Sequence, residues 1–100
     1  MDSMPAGTGA KIFNLTLTLA DTEYLQIIHD GDRNTPSVKA IMFRPQDTLH
    51  SLKYAFKTGG PYFDLKSGEV YWKDGLHFFN STLYFKSPDA GAIVDIEVWN

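Results

Sequence analysis

Alternation of apolar and polar residues with a period of two runs through most of this chain, and it constrains the fold more than any other feature. Over residues 11–20, Phe13, Leu15, Leu17 and Leu19 fall on one side while Asn14, Thr16 and Thr18 fall on the other. That is the pattern of a half-buried strand. A second β run, 23–29, carries Tyr24, Leu25, Ile27 and Ile28 and stops at Asp30-Gly31-Asp32-Arg33-Asn34, a cluster of turn formers. The third, 38–44, is apolar on both sides: Val38, Ala40 and Met42 oppose Ile41 and Phe43. Pro45 ends it, because proline has no N–H to give a ladder and restricts the residue before it.

Residues 47–57 read in two ways. Leu49, Leu52 and Phe56 fit a helical stripe with Asp47 or Thr48 as N-cap and Gly59 beyond its end. Leu52, Tyr54 and Phe56 also alternate with Lys53, Ala55 and Lys57, and the strand reading is preferred because the flanking segments are all β. Short β runs follow at 62–65, 70–72 and 76–79, separated by Lys66-Ser67-Gly68 and Lys73-Asp74-Gly75. Two longer runs at 82–86 and 93–99 close the chain.

Turn signals every 8–12 residues without a βαβ pattern predict an all-β, antiparallel β-sandwich of the jelly-roll kind with about eight short strands. One hundred residues suffice for one domain. Residues 1–10, small and without periodicity, are expected to be a flexible N-terminal arm, and 11–100 the single sandwich domain. The absence of cysteine removes disulfides, thiolate metal sites and thiol nucleophiles together. A net charge of −3 lacks the basic excess of a nucleic-acid binder, and no apolar run approaches the length of a membrane span, so neither partner is expected.

Chemistry is sparsely represented. No Gly-x-Ser-x-Gly elbow occurs, and His29, His50 and His77 lie too far apart to form a recognisable metal motif. His29 reads as a surface imidazole beside a turn. Asp30, Asp32 and Asn34 have the alternate spacing of a calcium loop, but Thr35 stands where the sharp-turn glycine belongs and Ile41 where a bidentate glutamate belongs. A hairpin turn explains the run better. The expectation is a protein without catalytic residues, metal or cofactor.

Two features point instead to recognition. Aromatics crowd the C-terminal half, and if some face solvent they would stack sugar rings, with Tyr62, Trp72 and Tyr84 as candidates; filling a small core is the plainer use of such rings. Second, strands apolar on both faces need cover on their outer side, from another subunit or, as the plainer alternative, from a central position in the sheet with long side chains laid over them. Ile41, Phe43, Phe78 and Phe79 are the candidates for an interface between copies of the chain, which makes a homo-oligomer, with a trimer favoured, the expected state.

Particular stretches carry a resemblance. Leu17-Thr18-Leu19-Ala20 followed by Glu23-Tyr24, the central Leu52-Lys53-Tyr54-Ala55-Phe56, and Tyr71-Trp72-Lys73-Asp74-Gly75-Leu76 form the first part. Thr82-Leu83-Tyr84-Phe85-Lys86-Ser87 and the ending Val94-Asp95-Ile96-Glu97-Val98-Trp99 complete it. Together the chain resembles small phage and prophage virion-associated β-sandwich proteins, of the decoration or accessory structural kind. The resemblance spans roughly 15–99 and rests on core and turn residues. It implies a structural subunit, trimeric, lying on a capsid or tail protein of the virion after synthesis in the bacterial host cytoplasm, with no catalytic residue to carry over. The alternative is a carbohydrate-binding module using exposed Tyr and Trp.

Overall fold

The computed structural model describes residues 10–31, 34, 36–47, 49–76 and 80–99. Eight strands run in chain order: β1 (Ala10–Leu17), β2 (Tyr24–Asp30), β3 (Ala40–Pro45), β4 (Leu52–Ala55), β5 (Phe63–Leu65), β6 (Tyr71–Lys73), β7 (Asn80–Lys86) and β8 (Ala92–Trp99). No helix occurs among the described residues. The strands form two four-stranded antiparallel sheets, β1-β8-β3-β6 and β2-β7-β4-β5. Each connection crosses from one sheet to the other except where β5 follows β4 as a hairpin, and this order is that of a jelly roll.

The alternation seen in the sequence is realised almost residue by residue. Along β8, Ala92, Val94, Ile96 and Val98 have no exposed surface, while Ile93, Asp95, Glu97 and Trp99 are half-buried on the outer side. Opposite them on the inner face of the other sheet lie Leu52, Leu65, Leu83 and Phe85. The 47–57 segment is a strand where it is regular. Asp47 opens the turn that follows it instead of starting a helix, its carboxylate accepting the backbone N–H groups of Leu49 (2.9 Å) and His50 (3.0 Å).

Phe43 is the pivot of the packing. Its ring stacks on Tyr71 at 4.6 Å and meets Tyr54 and Phe85 edge-on at 5.0 and 5.1 Å, so one side chain from β3 joins β4, β6 and β7. Phe56 and Phe63 extend this cluster towards solvent at the side where the short edge strands β5 and β6 leave the sandwich open.

Several expectations need correction here. Ile41 and Phe43 are 1% and 0% exposed and point between the sheets, so they have no surface to offer a second subunit. The plainer alternative holds for β3: it is an inner strand of its sheet, and Ala40 and Met42 on the outer side are shielded by neighbours on β6 and β8. Phe78 and Phe79 lie outside the described residues, as do His77, Asp32 and the proposed arm except its last position. His29 is buried, not superficial. A bulge between Ile27 and His29 turns Ile28 and His29 inward in succession, and the ring's Nδ1 accepts the Gly31 N–H at 3.0 Å.

Candidate functional site

The outer face of the β1-β8-β3-β6 sheet is built from side chains that the register brings into rows. Asn14, Asp95 and Arg44 form one row across β1, β8 and β3. Ile12, Glu97, Met42 and Trp72 form the next, running to the edge strand β6. Beyond it Trp99 on β8 lies beside Ala40 on β3. The small methyl of Ala40 leaves room for the two indoles to meet across β3, with centroids 5.2 Å apart and planes at 70°. Trp72 remains 54% exposed, on an edge strand of its sheet.

The polar row is held partly within itself. Asp95 Oδ1 accepts the Asn14 amide at 2.5 Å and the Gln46 amide at 3.3 Å, which fixes the carboxylate on the sheet surface. Arg44, adjacent to Asp95 in register, makes no ion pair among the described residues. Its guanidinium is exposed and presents its donors to solvent. Two shallow hollows adjoin it. One, about 290 Å³, is lined on the sheet face by Ile12, Asn14, Met42, Asp95 and Glu97 with Arg44 and Gln46. The other, about 250 Å³, lies between Arg44, Gln46 and the β5–β6 turn at Gly68, Glu69 and Val70.

The other outer face is finished differently. Leu25, Tyr84 and Ala55 form a row across β2, β7 and β4, and continuing the β4–β5 register by one step places Tyr62 beside Ala55. Ala55, though on the outer side, is 0% exposed. Tyr62 is tied down: its hydroxyl donates to Glu23, whose carboxylate also accepts the Thr58 hydroxyl at 2.7 Å and the Gly59 N–H at 2.8 Å. The Lys86 ammonium sits 4.2 Å from the centre of the Tyr62 ring. These contacts hold Glu23 below the ordinary carboxylate range, the Tyr62 hydroxyl first and the Gly59 N–H next. Burial, followed by the bond to Glu23, pushes Tyr62 up to about 12.

The three aromatic residues proposed to stack sugars thus do not share a platform. Trp72 belongs to one sheet, Tyr62 and Tyr84 to the opposite one, and Tyr62 is occupied by Glu23 and Lys86. The sequence reading missed Arg44, Asp95, Asn14 and Gln46 as a group. Polar residues on alternate positions of β1 and β8, with Arg44 near the end of β3, were the available signal, but only the pairing register says that they meet. Groups of three or more His, Cys, Asp or Glu placed to hold a metal ion do not occur among the described residues. The chain matches no protein-family model, and no curated protein matches it.

Proposed function

We propose that this protein is a non-enzymatic structural subunit of a phage virion, of the decoration or accessory kind. It works as a homo-oligomer, a trimer in the simplest form, on a repeated capsid or tail protein surface. The observation that carries the self-association is β2. This seven-residue strand lies at the edge of its sheet, and between Tyr24 and His29 it has none of the charged residues or prolines that normally blunt such an edge. On its outer side Leu25 and Ile27 are 54% and 51% exposed beside Tyr84, an apolar strip along a sheet edge. With Ile41 and Phe43 inside, this strip is where an interface belongs. The virion assignment is supported by the resemblance of the residues quoted above, which fall on both sheets.

Light scattering of the purified chain at about 100 μM tests it: an interface of at least about 1,000 Å² in total yields a stable particle, near 34 kDa for three chains of 11.3 kDa. Replacing Leu25 and Ile27 together by Lys is expected to reduce the mass to that of one chain while circular dichroism stays that of a β-protein. A wild-type monomer at that concentration refutes the proposal.

A further inference from the structure

We propose that the outer face of the β1-β8-β3-β6 sheet is a second, independent binding site, and that its ligand is a neutral oligosaccharide lying across the strands. The two hollows meet at Arg44 and Gln46, so together they make a furrow from β1 to the β5–β6 turn. It crosses three inter-strand spacings, about 14 Å. That is long enough for a chain of sugars and too shallow to enclose a compact molecule.

The chemistry of the lining selects the class. Donors and acceptors lie next to one another: the Arg44 guanidinium, the Asn14 and Gln46 amides, and the Asp95 and Glu97 carboxylates. A hydroxyl donates and accepts, so each sugar hydroxyl is matched by either kind of partner. A phosphate or uronate is not, because Asp95 and Glu97 outnumber Arg44 and the chain carries a net charge of −3. Trp72, opposite Met42 in register, provides the exposed aromatic surface on which the C–H face of a pyranose rests. Asp95 is already oriented by Asn14 and Gln46, whereas Arg44 makes no ion pair among the described residues; one side of the recognition is preset and the other is available.

The site reports on itself, since the chain's two tryptophans are Trp72 and Trp99, and both sit on this face. The experiment is a titration of the full chain, with the two indole N–H signals followed by NMR, against cellohexaose, maltohexaose, chitohexaose and mannohexaose. Oligogalacturonate and inorganic phosphate serve as anionic probes. At least one neutral probe is expected to shift the indole signals at or below ~10 mM. Arg44→Ala and, separately, Trp72→Leu are expected to weaken that binding by about tenfold or more without changing the fold or the particle mass. Leu25→Lys should leave it intact, so the site and the oligomer stand or fall separately. The proposal is overturned if no neutral probe shifts the indoles, if an anionic probe binds more tightly than every neutral one, if both variants bind as the wild type does, or if the indole signals move on dilution alone, which would make the face a contact between copies.

Discussion

Both outer faces of this sandwich place an alanine on an inner strand beneath aromatic side chains, yet they end in opposite conditions. On one, Ala55 lies beside Tyr84 and Tyr62, and Tyr62 is anchored by Glu23, Thr58 and Gly59 acting together and by Lys86 over its ring. On the other, Ala40 lies beneath Trp72 and Trp99, whose indoles touch only edge to face, and the neighbouring Arg44 makes no ion pair among the described residues. Around Ala55 the first face is closed by the chain's own loop, and it is Leu25 and Ile27 at its β2 edge that stay exposed. The second keeps an exposed indole and an exposed guanidinium at the surface.

The strongest way to break the comparison is to remove what both faces share. Phe43→Ala takes away the ring that joins β3 to Tyr54, Tyr71 and Phe85, and with no exposure at that position the resulting space has little route to collapse. A loss of about 3–5 kcal/mol is expected in urea unfolding. This would leave few chains of this size folded with much margin. A loss below about 1 kcal/mol would mean that the two sheets do not depend on one another through this ring.

The two alanines sharpen it. Ala55→Leu must force a larger side chain into a position with no exposure under a tied-down tyrosine, and should cost about 1–3 kcal/mol. Ala40→Leu pushes against indoles that swing into solvent, so its cost in the same assay should be smaller, while the exciton signal of the indole pair in circular dichroism disappears. Equal costs would contradict the claim that one face is locked and the other is not.

Charge sets a pH test for the lock. Glu23 is held below its ordinary value of 4.5, so its contribution is complete above that pH and is lost as pH falls through the lower folded value. Tyr62 is raised from 10.0 to about 12, so its contribution is complete below pH 10 and is lost as pH rises towards about 12. Tyr62→Phe removes the hydroxyl and should cost about 1 kcal/mol between these limits. The difference between variant and wild type should shrink at both ends. Asp47 and Asp64 are also lowered and Tyr54 and Tyr71 raised, so both proteins still weaken in acid and alkali, and only the difference isolates the lock.

How much of this was legible beforehand depends on the range of the interaction. The strands, the jelly-roll class and the preference for strand over helix at Leu52–Ala55 follow from period-two patterning and turn residues, which are local. Which side of β3 is inner was not legible: Ile41 and Phe43 look the same as Met42 and Ala40 by hydropathy, and only the position of β3 between β8 and β6 decides it. His29 was misplaced because a bulge shifts the alternation by one residue, and nothing in Ile27-Ile28-His29 announces a bulge. The Arg44, Asp95 and Asn14 row joins residues far apart in the chain, and the Glu23 to Tyr62 contact likewise depends on the sheet's closure.

The smallest expected effect is also the least intuitive. Trp72→Ala deletes the largest kind of side chain, yet the ring is more than half exposed, and the ring contact it forfeits among the described residues is the one to Trp99. Such a pair contributes about 0.5–1.5 kcal/mol beyond area burial when well enclosed, and less here because water reaches it. The expected loss in urea unfolding is therefore below about 1 kcal/mol, no greater than that of removing the single Tyr62 hydroxyl on the opposite face. If Trp72→Ala instead destabilises the isolated subunit as much as Phe43→Ala, the indole pair is part of the core, and the face it occupies is not free for a ligand.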